Sequence, residues 1–340
     1  MVVRGIRASF VLILWLVCID AGAQSYGPVP VGLGLPSPFT GIAPWDTVGS
    51  ADVSHGFYQN AAIRKYINSF VSYQFPNPFP PYQDPLSRLE FPFDQWFLEL
   101  GAGFGSTWWS IHGRGSINVS TLSALKMQDS DWDDENAPFQ KTIFSESKCR
   151  LDRGYTADVW LEFAGLGAPF DWLAPLAGYR HQYFRFTTYD GVQGDITGTV
   201  YDLPGNGIEY EQIFDHFYAG AVLRRSLVFG AQSYTPTVVD ISIQFDVGAV
   251  RGRNEDLHLL RAGERITRDD TKGISWHVGV ATSCRISNRL KAKLMGDFLR
   301  VETKGTHNLT NPVFGIDFTF DGARVWSDQA SIAAALEIAF

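Results

Sequence analysis

The sequence predicts an all-β fold, a ten-stranded antiparallel transmembrane β-barrel of the outer-membrane type. Three observations carry this. Apolar and polar residues alternate with period two over runs of about 10 residues or more, longer than the usual strand of roughly five or six and suited to tilted membrane strands. The composition is that of strands and turns: aromatic residues make up 14 % and glycines number 33, while only 19 % of residues are charged. Short turns such as Gly105-Ser106, Gly167-Ala168-Pro169 and Ser287-Asn288-Arg289 alternate along the chain with long polar segments, the asymmetry of barrels that open to the outside.

The elements follow in order. Residues 1–23 read as a secretory signal: Arg4 and Arg7, an apolar run from Phe10 to Ile19, and Ala21-Gly22-Ala23 as a cleavage site before Gln24. Roughly ten apolar residues are too few to span a ~30 Å hydrocarbon layer. Val17 before Cys18 argues against a lipoprotein anchor. Residues 24–340 then form one barrel domain. Two strands flank the Pro-rich stretch Phe75 to Pro85, and pairs follow around polar loops near 126–150, 188–207, 251–268 and 303–328.

The alternation is plainest in three places. Ile332, Ala334, Leu336, Ile338 and Phe340 share one face, and Phe340 ends its strand as a terminal assembly signal would. Val239, Ile241, Ile243, Phe245, Val247 and Ala249 oppose Ser242, Gln244, Asp246 and Gly248. Ile274, Trp276, Val278 and Val280 oppose Ser275, His277, Gly279 and Ala281. Ten strands leave an interior filled by side chains, too narrow for a general diffusion pore. Trp45, Trp108, Trp109, Trp172 and Trp326 suit interfacial girdles. Cys149 and Cys284, the thiols left after signal removal, are expected near opposite ends of the barrel and free, beyond a disulfide's Cα separation of about 4.4–6.8 Å.

The formal charge of −8 offers no basic field for nucleic acid. No cofactor or metal is expected. Gly101 to Gly105 is followed by no helix pattern. His55, His112, His181, His216, His277 and His307 lack zinc-ligand spacing, and the run Asp131 to Glu135 reads as a solvated acidic loop rather than a calcium site.

Two segments at the outward end carry the candidate chemistry: Asp129-Ser130-Asp131-Trp132 and Asp256-Leu257-His258. Asp256 and His258 continue the even, lumen-facing set of the strand before them. Asp129 does not, because His112, Arg114, Ser116 and Asn118 point inward on even numbers; one bulge near Thr121 would bring Asp129 and Asp131 inside. These two motifs, in this order, resemble those of the omptin family of outer-membrane endopeptidases. Weaker similarity runs through Ser87 to Gly103, Ala177-Gly178-Tyr179, Tyr210 to Gly220 and Arg265-Ile266-Thr267. The resemblance implies an aspartic-type surface endopeptidase with Asp129, Asp131, Asp256 and His258 as catalytic residues. It also implies peptide substrates, a monomer in outer-membrane lipid, and lipopolysaccharide as a partner.

The chain departs from that family in two respects. Asn254 stands where an acidic residue would hold a basic side chain, which weakens any preference for cutting beside Arg or Lys. Tyr179 is kept from the lipopolysaccharide site, but Tyr183 and Ile213 stand at basic positions, with Arg180 and Arg185 as substitutes of mixed parity. The alternative to a peptidase is a non-catalytic barrel, an adhesin or structural protein; a small pore is a third class.

Overall fold

A computed structural model describes residues 56–340 except 81, 107, 164–171, 230–236, 262 and 264. The signal segment, Trp45, His55 and the turn Gly167-Ala168-Pro169 lie outside the described residues. The strands are β1 (Gly56–Phe75), β2 (Ser87–Phe93), β3 (Trp96–Gly105), β4 (Trp109–Asn118), β5 (Leu122–Asp131), β6 (Ile143–Phe163), β7 (Leu173–Asp195), β8 (Val200–Phe229), β9 (Thr237–His258), β10 (Arg265–Arg285), β11 (Leu290–Asn311) and β12 (Ile316–Ala339).

These twelve segments make ten passages of one closed antiparallel barrel. β2 and β3 both pair with β1, at its upper and lower halves, so they are one passage broken at Asp94 and Gln95. β4 and β5 likewise share β6 and are broken at 119–121. β12 returns to pair with β1 from Ala339 opposite Tyr58 to Arg324 opposite Gln74, which leaves the sheet no edge.

Outward faces carry the lipid signal. Ile243, Phe245 and Val247 of β9 are 42 %, 52 % and 53 % exposed, and Ile274, Leu336 and Ile338 continue the belt around the barrel. Trp96, Trp108, Trp109 and Trp172 are exposed as well, whereas Trp326 is half-buried beneath the Arg88 guanidinium. Changing the outward Val247 to Arg is expected to block assembly, since a cation against lipid costs about 2–4 kcal/mol at mid-depth. Ser242→Asp, in register with Arg224 on the lumen face, is expected to assemble. Gel migration of unheated against boiled protein reads both; an assembled Val247→Arg barrel would mean the faces are reversed.

Above the belt the strands run on, and the long loops expected near 188–207, 251–268 and 303–328 are mostly ladder. β8 alone is 30 residues long. The cause lies in the side chains. Once the outward row leaves lipid it becomes charged, so apolar alternation stops while backbone pairing continues. Cross-strand pairs replace it: Arg251 with Asp270 at 2.8 Å, Arg268 with Glu255 at 2.7 Å and Arg185 with Glu209 at 2.7 Å.

The lumen is filled in tiers. Within the belt, Arg64 meets Glu99 and Asp297, Arg114 and Arg180 meet Asp158, and His277 lies between Asp246 and Asp297. Above this lies an apolar plug that includes Phe91, Phe93, Phe184, Phe186, Tyr73 and Tyr210, and the candidate site rests on it. Cys149 is a buried free thiol at the edge of the plug. Cys284 is buried near the end of β10 and is not bonded to Cys149, as the sequence reading expected of that pair.

Candidate active site

Position in the ladder explains how each side chain reaches the site. In β9 even residues face inward without interruption, so Asp256 and His258 arrive at the top of the lumen, both buried. In β5 the phase has reversed: Lys126 and Gln128 meet Glu146 on the outside, and Asp129 lines the interior cavity. The reversal sits at the break after Asn118 and the register shift between Leu122 and Lys126, next to Thr121. Cross-strand partners share a face, so neighbouring passages must slip too. β6 shifts between Leu151 and Arg153, and β1 between Ile67 and Phe70, where Asn68 takes a left-handed φ of 48°.

Nε2 of His258 stands 2.9 Å from Oδ2 of Asp256. The hydroxyl of Tyr73 donates to the same carboxylate, and its ring stacks on Tyr210 at 5.4 Å between centroids. Burial by itself would raise the Asp256 carboxyl, but His258, Tyr73 and the charge of Arg265 outweigh it and hold the acid below its ordinary range. Asp256 is therefore a fixed anion that orients the imidazole.

Asp129 behaves in the opposite way. Burial, reinforced by the neighbouring Asp131, pushes its carboxyl up to about 7, against the opposing pull of His258. Its Oδ1 is buried without a hydrogen-bond partner. Asp131 is half-buried beside it, and Trp132 is buried with Arg88 and Lys141 over its ring. Asp129 and His258 line one cavity of ≈ 610 Å³, walled by β5 to β12. An imidazole held by a fixed anion, on the same cavity as a carboxyl group raised toward neutrality, forms a set that can take and give protons.

Beneath the floor lies a second cluster. Asp269 accepts from Asn254 and lies 2.6 Å from Nδ1 of His307, whose ring stacks on Phe75 at 4.3 Å. In the sequence His307 stands out only as a histidine without zinc-ligand spacing, and Tyr73 does not stand out at all. Tyr73 carries the only hydroxyl in the inward row Val71, Tyr73, Phe75 of β1, and the slip at Ile67 hides that row's parity.

On the outer surface Tyr179 donates to Asp215, Tyr183 donates to Glu211, and Arg185 pairs with Glu209. Arg180 turns inward to Asp158 and presents nothing to lipid.

Fold and site together define a closed ten-passage barrel whose lumen ends in a cavity lined by Asp129 and His258, with Asp256 behind the imidazole. The Omptin family model matches residues 95–302, more than half of the chain, and the chain belongs to that family. No curated protein sequence matches it. Among solved structures it is similar to the outer membrane protease OmpT of Escherichia coli, with a TM-score of 0.72 and 17 % identity over 87 % of this chain and 100 % of that one. The transport unit of the autotransporter AIDA-I of Escherichia coli gives a TM-score of 0.32 and 9 % identity over 84 % and 91 % of the two chains. The translocator domain of NalP of Neisseria meningitidis gives 0.30 and 8 % over 96 % and 95 %.

Proposed function

We propose that this protein is an outer-membrane surface endopeptidase that hydrolyses peptide bonds with water activated between Asp256–His258 and the Asp129/Asp131 pair. One observation carries the reading: His258, held by the buried anion Asp256, shares a single outward cavity with a carboxyl group poised near neutrality. Family membership supports it, as does a fold like that of a solved outer membrane protease.

With Nε2 engaged by Asp256, Nδ1 of His258 is the nitrogen left to accept a proton from water as that water attacks the peptide carbonyl carbon. Among the described residues no hydroxyl or thiol is hydrogen-bonded to His258, so no side-chain nucleophile competes with water. Asp129, raised by burial and by the neighbouring Asp131, carries the proton of the pair. The pair holds the water and the developing oxyanion. When the carbon–nitrogen bond breaks, the leaving amine takes the proton from His258.

On this reading residues 1–23 are a signal removed on export, the outward belt sits in outer-membrane lipid, the site faces outside, and the protein acts as a monomer. Incubating the protein in detergent with a mixed peptide library, then identifying products by mass spectrometry, tests the activity. Internal cleavage supports it, and an unchanged library removes it in favour of a non-catalytic barrel.

A pH dependence follows from the Asp129 environment. Asp131 helps to raise the Asp129 carboxyl, so Asp131→Asn should lower it. The alkaline limb of kcat/KM, where Asp129 loses its proton, is expected to move to lower pH in that variant. A limb that stays in place or moves up would show that Asp129 does not carry the proton.

A further inference from the structure

We infer that the cavity beside Asp129 and His258 is a subsite for a carboxylate of the substrate, an Asp or Glu side chain flanking the cleaved bond, gripped by Arg265 and Arg261. This rests on the peptidase reading of the site and goes beyond it by naming what the enzyme selects.

The charges of the cavity wall point this way. Its lining mixes apolar side chains, Met127, Ile143, Ile208 and Leu260 among them, with polar ones, and among the described residues the acid on it is Asp129, which burial keeps protonated in part near neutral pH. Against that stand two guanidinium groups, Arg261 and Arg265. Neither forms a salt bridge or a side-chain hydrogen bond among the described residues, and Nε of Arg265 is buried without a partner. The lumen arginines Arg64, Arg114 and Arg180 all meet carboxylates. Folded proteins seldom leave a buried charged donor empty, and an arginine fork presents paired donors in the geometry of a carboxylate.

The position of Arg265 is set from below. Its guanidinium lies over the Phe75 ring, 5.9 Å from the centroid, which fixes the plane of the fork. The carboxylate nearest to it in effect, Asp256, is already bound by Tyr73 and His258, and Arg265 acts on it only through its charge. Among the described residues the cavity offers a basic side chain only Asp129, which the peptidase reading already uses. The one further acid beneath the floor, Asp269, is buried and occupied by Asn254 and His307.

The test uses the full-length protein in detergent and a peptide set with Glu, Gln or Lys placed in turn at each position around one cleaved bond. Each peptide is made with a free and with an amidated C-terminus. At one position Glu is expected to exceed Gln in kcat/KM by about tenfold to a hundredfold, the worth of a charge-assisted hydrogen bond, and to exceed Lys by more. Amidation should not change that ratio. A preference that vanishes on amidation would assign the subsite to a C-terminal carboxylate and overturn the side-chain assignment. Arg265→Gln should bring the Glu/Gln ratio toward one, and Arg265→Glu should turn it in favour of Lys. A merely structural role would lower all peptides alike and leave the ratios unchanged, which overturns the inference, as would a wild-type protein that prefers Lys. Cleavage of the set without an acidic preference removes this inference alone. Cleavage of none removes the peptidase reading with it.

Discussion

His258→Ala is expected to abolish peptide hydrolysis, lowering kcat by at least the ~10²–10⁴-fold that a positioned general base supplies. The side chain ends the β9 ladder and faces the cavity rather than the sheet's neighbours. Its backbone pairs with Ile208 and Arg265 whatever the side chain. Heat-modifiable gel migration should therefore match the wild type, so that lost activity means lost chemistry. Reagents that modify serine or cysteine nucleophiles should leave wild-type activity intact, because water attacks. A variant that cleaves at the wild-type rate would end this mechanism and leave a barrel without catalysis.

Sequence reading reached furthest where one physical constraint acts on every second residue. Lipid on one face and a packed lumen on the other impose strict alternation on β9, β10 and β12. From that parity alone Asp256 and His258 were legible as inward, and the structure puts both in the lumen wall. Legibility ended where the constraint ended. Above the belt both faces tolerate polar residues, so the charged upper halves of β7 to β12 read as loops although they are paired throughout.

Register slips were the second obstacle. Passages β1, β4/β5 and β6 each slip close to one level of the barrel, and a slip in one passage is intelligible only beside its neighbours. Sequence reading could state the condition for Asp129 to face inward, a bulge near Thr121, without seeing that β1 and β6 enforce it. The same slip in β1 sets Tyr73 under Asp256. Residues that act through a neighbour from another strand, such as Tyr73 on Asp256 or Asn254 on Asp269, leave no local motif. Only the closed ladder brings them together.

Asp129→Asn should separate catalysis from stability. As the group that carries the pair's proton opposite His258, Asp129 is expected to be worth about 10²–10⁴-fold in kcat. Combined with His258→Ala the change should cost little more than either alone, since residues that act as a unit are grossly non-additive. Stability should move the other way with pH. The folded Asp129 carboxyl titrates at about 7, above the roughly 3.9 of an unfolded chain. Between these values the folded state holds a proton that the unfolded state has released, so this group's contribution is full below the lower value and is lost as pH rises through the upper one. Asparagine cannot ionise and escapes that loss. The thermal midpoint of Asp129→Asn relative to wild type is therefore expected to rise between pH 4 and pH 8, with the largest gain above about pH 7. An inactive variant whose relative midpoint is flat or falls over that range would mean that Asp129 is an ordinary ionised carboxylate. The proton-carrying role would then pass to Asp131.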